Sequence, residues 1–346
     1  MSQAGRERPG SIFQLVSEAQ LSEEESPPLS VEQMVQQIKE TADKLLRDGA
    51  SRGDVKLLNT ALKELRYAFK MFSAYRGIRK VTLFGSARLE AHHPAYQQAV
   101  AFARRIAQAG WMVVTGAAQG IMEAGHVGAG RDKSIGVNIL LPFEQNANPI
   151  IQGDAKLVHL KYFFTRKLVL VKESDAVALF TGGFGTLDEG FEALTLAQTG
   201  KSHLFPIVMI DEPGGDFWRT WDDFIRRLLR DRGLISPSDL ALYKVTDSVD
   251  EAVDEVLQFY RVYHSMRYVK NDLVLRLQRP LRPDLLERIR REFADIVVSG
   301  TFEQGPALPA EMSEPHLRDL PRLRFRFERR RLGRLRLLID LINREA

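Results

Sequence analysis

Residues 175–190 read DAVALFTGGFGTLDEG and contain the stretch that decides the fold. Residues 176–180 form a short apolar run without charges, typical of a buried strand, and a helix-compatible segment at 187–198 follows the intervening glycines. Such glycines leave the backbone bare, so successive N–H groups and the helix N-terminus can face an anion such as a phosphate. We therefore predict a strand, a phosphate-binding turn and a helix, with one acid, Glu189, in the first turn of that helix.

The chain on either side of this stretch alternates strand-like runs with helix-compatible segments. The strand-like runs lie at residues 80–84, 111–114, 134–140, 156–160, 176–180 and 204–211. Repeated units of this length predict an α/β fold, a doubly wound, Rossmann-like parallel sheet with helices on both faces. Glycine turns at Gly85, Gly116 and Gly182 follow three of the runs. Because ligands bind beyond the C-terminal ends of parallel strands, the three turns predict one nucleotide-sized pocket.

The remaining sequence divides into flanking segments. Residues 1–29 are polar without a sustained period and predict a mobile leader, whereas residues 30–75 predict two amphipathic helices. Residues 76–265 hold the Rossmann-like nucleotide-binding core, and residues 266–346 predict a small basic α+β domain. We expect the two helices to pack on the core or on a second subunit, and we predict a homodimer or a higher homo-oligomer.

Composition excludes several classes of protein. The 346 residues include no cysteine, so disulfides, thiolate catalysis and cysteine-ligated metals are excluded. No histidine pair with ligand spacing supports a metal site, and we predict no metal and no cofactor. The histidines His92, His93 and His126 are predicted to be surface or structural residues. Neither a signal-peptide pattern nor an apolar run near about 20 residues occurs, so we predict a cytoplasmic protein without a membrane partner.

The positive charge is concentrated towards the C-terminal end, although the formal net charge of the sequence is only +4. Arg322, Arg324 and Arg326 alternate with apolar residues there. Strict alternation predicts a one-faced strand with its arginines in solvent. Because no RNA-binding signature such as an aromatic RNP run accompanies them, a nucleic-acid partner is not predicted.

Two common nucleotide fingerprints are missing. A dinucleotide site needs GxGxxG after the first strand, where Gly85 stands alone, and a P-loop needs GxxxxGK[ST]. Four other elements, in order, resemble the LOG family, the cytokinin-activating phosphoribohydrolases often mislabelled lysine decarboxylases. TGGFGTLDEG at 181–190 is close to the family signature PGGxGTxxE, and YFFTRK at 162–167 is similar to its arginine–lysine element. FGSA at 84–87 and TGAAQGIMEA at 115–124 resemble its other two turns.

The resemblance spans roughly residues 81–210 and is to the longer, bacterial type of the family. It departs from the pattern at Thr181, which replaces the signature proline, and at Ala117 and Ala118, which replace part of a glycine-rich run. It implies hydrolysis of the N-glycosidic bond of a nucleoside 5′-monophosphate, AMP or an N6-modified AMP, to free base and ribose 5-phosphate. This is the reaction of an AMP nucleosidase-like glycosidase.

The resemblance also implies the residues that carry the reaction. Glu189 would stabilise the oxocarbenium-like sugar and activate a water, and Arg166 would fix the nucleotide; these two are the predicted catalytic residues. The predicted substrate-binding residues are Gly182, Gly183, Gly185, Thr186, Lys167, Gly85, Ser86, Gly116, Glu123 and Asn138.

Two alternatives compete with this interpretation. Thr186 and Glu189 also fit a capping box, in which the threonine caps the helix and the glutamate bonds back to its amide. A non-catalytic nucleotide-binding or sensing protein therefore stays open. Lysine decarboxylation has little chemical support, because a pyridoxal cofactor needs a Schiff-base lysine and Lys167 has no such setting in the sequence.

Overall fold

A computed structural model describes residues 29–140, 147–311 and 314–346 of the chain. The predicted leader at residues 1–29 lies outside these ranges, apart from Leu29. Within the same ranges, no helix combines the length and the apolar character needed to cross a membrane. The cytoplasmic location stays a prediction.

The predicted parallel sheet is confirmed, with seven strands in the order β4-β3-β2-β1-β5-β6-β7. The strands are β1 (Lys80–Phe84), β2 (Met112–Thr115), β3 (Ser134–Ile139), β4 (Leu157–Leu160), β5 (Ala176–Phe180), β6 (Ile207–Ile210) and β7 (Lys244–Thr246). The central strands β1 and β5 are buried along their whole length, as expected when helices cover both faces. The six predicted runs correspond to β1 to β6; β7 was missed because, at 3 residues, it is too short to show a period.

The strand order reverses beside β1. From β1, the chain steps outward through β2, β3 and β4 on one side, and β5 then pairs with the other side of β1. Turns that leave β1 and β5 therefore run to opposite faces of the sheet. A crevice forms between such turns, and it is the usual ligand position in doubly wound sheets.

Helices flank this sheet, and all but the first cover its faces. They are α1 (Val31–Arg47), α2 (Arg52–Ser73), α3 (Pro94–Gln108), α4 (Ile121–Ala129), α5 (Phe163–Lys172), α6 (Phe184–Thr199), α7 (Phe217–Phe224), which continues as a π-helical turn, and α8 (Val249–Gln258). One face packs against α3, α4 and α8 through residues such as Leu83 and Phe102. The opposite face packs against α2, α5 and α6, where Phe72 and Leu179 are buried.

A second sheet, antiparallel and in the order β10-β11-β9-β8, confirms the predicted small α+β unit. Its elements are β8 (Tyr263–Val269), β9 (Asp272–Leu277), α9 (Pro283–Glu292), β10 (Val297–Gly305), β11 (Arg322–Phe327) and α10 (Leu332–Glu345). The alternation of arginines with apolar residues predicted β11, whereas β8 and β10 were missed because polar residues interrupt their alternation. The core beneath this sheet is continuous with the core of the parallel sheet.

The arginines of β11 have acidic partners. Arg322 is only 1% exposed, so the prediction that it faces solvent is wrong. Arg324 pairs with Glu303, and Arg326 Nε lies 3.2 Å from Asp272 Oδ1. These three guanidinium groups are therefore engaged within the second sheet.

A buried ion-pair group holds the connection between β10 and β11 against the second sheet. Glu311 Oε1 accepts a hydrogen bond from Arg276 Nε (2.8 Å), and its Oε2 accepts bonds from Arg322 Nε (3.0 Å) and Leu308 N (3.1 Å). Burial alone would raise the pKa of Glu311, but the bonds from Arg322, Leu308 and Arg276 outweigh it and hold that pKa below its ordinary value. The carboxylate is therefore ionised and fully paired.

Removing the Glu311 carboxylate should be costly. Glu311→Ala is expected to lower the free energy of unfolding by roughly 3–5 kcal/mol, because the buried Arg322 loses its acidic partner and the buried Arg276 keeps only Glu314. Glu303→Ala, which removes the exposed partner of Arg324, is expected to cost less than about 1 kcal/mol. Urea denaturation at pH 7 measures both, and equal costs would contradict the structure. Because the folded-state pKa is depressed, the Glu311 contribution is complete above the unfolded pKa and disappears as the pH falls through the folded-state pKa.

Candidate active site

Three turns meet at the C-terminal edge of the parallel sheet. Ser86, which follows β1, donates its N–H to Thr181 O after β5 (3.0 Å), and its carbonyl accepts from Ile121 N at the start of α4 (3.0 Å). The β1 turn is thus bonded both to the β5 turn and to the helix that follows β2. The structure therefore brings the three predicted glycine turns together.

All three of these glycines are required because another group occupies the space of a side chain. A Cβ on Gly85 would lie 2.6 Å from Cβ of Ile121. A Cβ on Gly182 would lie 2.2 Å from Thr186 Oγ1 and 2.9 Å from Ser86 N. A Cβ on Gly116 would lie 1.9 Å from Nη2 of Arg166. A larger residue at any of these positions would displace these groups. The glycines therefore let Thr186 and Arg166 pack directly on the turns.

Helix α6 begins one turn earlier than predicted. Its N-cap is Gly183, and no side chain caps it. Thr186 lies inside the first turn, where its N–H donates to Gly183 O (3.0 Å). The capping-box alternative is therefore wrong, since Thr186 is not the cap and Glu189 lies in the second turn. The early start was missed because the low helix propensity of glycine at 183 and 185 is typical of a loop.

The start of α6 is accessible to an anion. Gly183 and Gly185 are exposed, nothing lies within 4 Å of a Cβ built on either, and Phe184 between them is 94% exposed. The first N–H groups of a helix have no acceptor within the helix and carry the positive end of its dipole. Those of Phe184 and Gly185 can therefore receive a ligand oxygen, whereas the N–H of Thr186 already donates to Gly183.

Arg166 is a fixed, half-buried cation in the first turn of α5. Its Nε donates to Val137 O of β3 (3.0 Å), and its Nη2 packs on Gly116. Burial lowers the pKa of Arg166, and the charge of Glu189 opposes that shift. Arg166 and Glu189 therefore interact electrostatically across the crevice.

Glu189 is a half-buried carboxyl group with an unsatisfied oxygen. Among the residues described, none forms a hydrogen bond with its buried Oε2. Burial raises the pKa of Glu189 to about 7; the cations Lys167 and Arg166 oppose the shift, and the anions Glu192 and Asp188 add to it. Ionisation is thus balanced near neutral pH, a property of carboxyls that act as acids or bases.

Lys167 joins α5 to α6 beside this carboxyl. Its Nζ lies 2.6 Å from Asp188 Oδ2 and 2.7 Å from Glu192 Oε2. Burial would lower the pKa of Lys167, but the hydrogen bonds to Asp188 and Glu192 outweigh it and raise the pKa. Lys167 is therefore protonated, and its ion pairs link α5 to α6.

The predicted substrate contacts of Glu123 and Asn138 stay predictions. Glu123 lies in the first turn of α4. Burial, together with the negative charge of Glu123, raises the pKa of Tyr96 in α3. Asn138 follows the acceptor of Arg166 in β3, and its Oδ1 accepts from Ile139 N (2.9 Å). In the described ranges, no group of three or more His, Asp or Glu side chains is arranged to hold a metal ion.

Sequence reasoning missed the side chains that support the second turn. His126 is buried, and its Nε2 lies 3.1 Å from both Thr115 Oγ1 and Ile135 O. Asn148 Nδ2 donates to Ala117 O (3.2 Å), and Ala117 adopts the left-handed φ of 62°. Burial lowers the pKa of His126 to about 4, so its ring is neutral at pH 7. No sequence spacing links positions 117, 126 and 148, so only the folded chain shows this group.

The fold defines a doubly wound α/β protein of the Rossmann-like class. Within it, residues 114–256 match the family model described as "Possible lysine decarboxylase". The predicted resemblance to the LOG family is confirmed over this part of the chain.

Two curated relatives agree with this assignment. A cytokinin riboside 5′-monophosphate phosphoribohydrolase of Mycobacterium tuberculosis is 38% identical over 100 residues, which are 28% of this chain and 50% of that protein. A probable cytokinin riboside 5′-monophosphate phosphoribohydrolase of Oryza sativa subsp. japonica is 32% identical over 99 residues, 29% of this chain and 44% of that protein. The chain thus spans half or less of the length of these relatives.

A solved structure, that of the molybdenum cofactor binding protein from Rippkaea orientalis, is also similar. It has 19% identity and a TM-score of 0.35, over 51% of this chain and 93% of that chain.

The elevated pKa of Glu189 predicts a pH-dependent stability effect. The native pKa of about 7 lies above the ordinary value of 4.5, so the native state keeps its proton longer and stability falls as the pH rises between these values. Glu189→Gln lacks this cost and is expected to raise the free energy of unfolding by roughly 1–3 kcal/mol at pH 8 but little at pH 4. Urea denaturation at both pH values measures the gain. The control is Glu90→Gln at an exposed carboxyl, and a gain independent of pH would refute the explanation.

Proposed function

We propose that this chain is a phosphoribohydrolase that cleaves the N-glycosidic bond of a nucleoside 5′-monophosphate, AMP or an N6-modified AMP. One observation carries the proposal: the unsatisfied carboxyl of Glu189 lies in the field of the fixed cation Arg166, beside the open start of α6. The matched relatives are named as phosphoribohydrolases of cytokinin riboside 5′-monophosphates, which supports this class of substrate.

The proposed reaction uses the helix start and the carboxyl in sequence. The phosphate binds the N–H groups of Phe184 and Gly185 at the start of α6, which places the sugar near Glu189. The bond between C1′ and the base nitrogen breaks, its electron pair leaves with the base, and positive charge grows on the sugar. The Glu189 carboxylate stabilises that charge and accepts a proton from the water whose oxygen adds to C1′. The proton then passes to the base, giving neutral base and ribose 5-phosphate.

Arg166 is suited to orienting the nucleotide. Its Nε is already bonded to Val137 O, which fixes the plane of the guanidinium. A fixed planar fork recognises phosphate or a base edge with little loss of side-chain entropy. We therefore assign to Arg166 the orientation of the substrate and the polarisation of the leaving base.

Lysine decarboxylation, the reaction named in the description of the matched family model, fits the site poorly. A Schiff-base lysine must lose its proton to attack an aldehyde, so such lysines have lowered pKa values. Lys167 has a raised pKa because Asp188 and Glu192 hold its proton. The electrostatics of Lys167 therefore oppose that role.

The test is release of free base. The purified protein is incubated with AMP, N6-modified AMP and other nucleoside monophosphates, and products are separated by chromatography. We expect base and ribose 5-phosphate in equal amounts, at a rate that rises with pH up to the Glu189 pKa of about 7. Glu189→Gln should lower kcat by about 10²–10³-fold while AMP still binds in calorimetry; Glu90→Gln is the matched control. Tight binding by folded wild-type protein without release of any base would favour the nucleotide-sensing alternative.

We also propose that the chain forms a homo-oligomer through α1 and α2. None of the residues of α1 is buried, and apolar side chains on both helices face outward. These exposed residues are Val31, Met34, Val35, Ile38, Leu57, Leu58 and Leu62. Contiguous apolar surface of this kind is a mark of protein association. A second copy of the chain supplies a matching apolar face.

Charge on this face should disrupt the assembly. Met34→Glu combined with Ile38→Glu is expected to convert the oligomer to a monomer, because two carboxylates cannot be buried in an apolar interface. Light scattering coupled to size-exclusion chromatography measures the mass. Lys39→Glu, a charge reversal at an adjacent exposed position of α1, is the control and should leave the mass unchanged. A monomeric wild-type protein, or an oligomer that survives the double substitution, would exclude this interface.

A further inference from the structure

One side chain of α2 holds the start of the helix that carries Arg166. Glu64 Oε1 accepts a hydrogen bond from Lys161 N (2.7 Å), and Glu64 Oε2 accepts one from Thr165 Oγ1 (2.7 Å). Thr165 is fully buried. The Glu64 carboxylate therefore binds on both sides of the start of α5, although α2 lies about a hundred residues earlier in the chain.

Glu64 supplies what α5 lacks in its own sequence. The N-cap of α5 is Tyr162, and no side chain of the helix forms a capping bond. Helix starts leave N–H groups unpaired and favour a nearby negative charge through the helix dipole. Glu64 thus places negative charge at this helix start, and its two hydrogen bonds go to the N–H of Lys161 just before the helix and to the hydroxyl of Thr165.

The first turn of α5, which Glu64 holds, determines the position of Arg166. Arg166 N donates to Tyr162 O (3.2 Å), and Tyr162 lies between the two residues that Glu64 holds. The Arg166 side chain then donates from Nε to Val137 O, and its Nη2 packs closely against Gly116. A shift at the start of α5 therefore moves the guanidinium directly.

The attachment of α2 to the fold does not depend on Glu64. Ala68 and Phe72 of α2 are buried in the core, and Lys172 Nζ at the end of α5 lies 4.6 Å from the ring centre of Phe69. These contacts hold the C-terminal half of α2. Loss of the Glu64 carboxylate should therefore loosen the start of α5 while α2 stays in place.

We propose that Glu64 is a positioning residue for Arg166. The inference rests on the proposed function of the site and extends it to α2, which lies outside the family-matched residues 114–256. The N-terminal helical segment is then part of the active-site support as well as the proposed oligomer contact. A misplacement of about 1 Å at a catalytic group can cost on the order of 100-fold in rate.

The first test compares substitutions at one position. Glu64→Ala is expected to lower kcat for AMP hydrolysis by about tenfold or more. Glu64→Gln should retain most of the activity, because its amide oxygen accepts from Lys161 N and its NH₂ donates to Thr165 Oγ1, whose hydrogen turns to Tyr162 O (2.9 Å). Lys63→Ala, an exposed neighbour on the same helix, is the control and should match the wild type. Melting temperatures of all variants identify any loss of folding.

The second test separates positioning from general stability by a double-mutant cycle with Arg166→Ala. If Glu64 acts through Arg166, Glu64→Ala in the Arg166→Ala background should change kcat by less than about twofold. Equal losses in both backgrounds, or no loss in either, would overturn the proposal. Where Arg166→Ala turns over too slowly to measure, the same cycle is carried out on the Kd for AMP. Failure of the proposed function would be recognised differently, because the wild-type protein would then release no base. In that case the double-mutant cycle on the Kd for AMP still decides the role of Glu64.

Discussion

The candidate site depends on the backbone of Ser86. Its N–H is bonded to the turn after β5, and its carbonyl is bonded to the helix that follows β2, so one residue joins the turns on both sides of the strand-order reversal. Strand order alone would open a crevice there, but its walls would be three independent loops. Because the N–H and the carbonyl of Ser86 are both bonded between turns, the open start of α6 and the turn on which Arg166 packs are held in one frame. The chemistry of Glu189 is arranged within that frame.

The electrostatics around Glu189 are unfavourable for folding and would favour the proposed reaction. Burial and the neighbouring anions raise its pKa to about 7, although Lys167 and Arg166 lie near it. Lys167 also forms ion pairs with Asp188 and Glu192, and its attraction for Glu189 does not offset the effect of burial. A carboxyl left unsatisfied in this way gains when positive charge develops beside it. In the proposed reaction, the same oxygen that costs stability in the resting protein stabilises the positive charge that forms on the sugar.

Local features of the sequence were sufficient for part of the structure. β5 and its turn could be predicted because the apolar run and the glycines are contiguous, and the doubly wound order followed from repetition of such units. Features that depend on distant residues could not be predicted. The left-handed Ala117 is supported by Asn148, the start of α5 is held by Glu64, and Arg322 is buried by an acid in a separate loop. In each case the partner lies beyond the range of any periodic pattern, and the glycines at the start of α6 favoured a loop where packing produces a helix.

Helix α6 also ends against the C-terminal unit. Its C-cap, Gly200, adopts a φ of 67° and lies next to Leu332 at the start of α10, and the cores of the two sheets are continuous. During synthesis, the parallel sheet emerges from the ribosome long before residues 332–345 are made, and folding generally proceeds from the N-terminal side. The helix that carries Glu189 therefore obtains its full packing only when α10 arrives. The C-terminal unit, which is made last, therefore completes the packing beneath the candidate site.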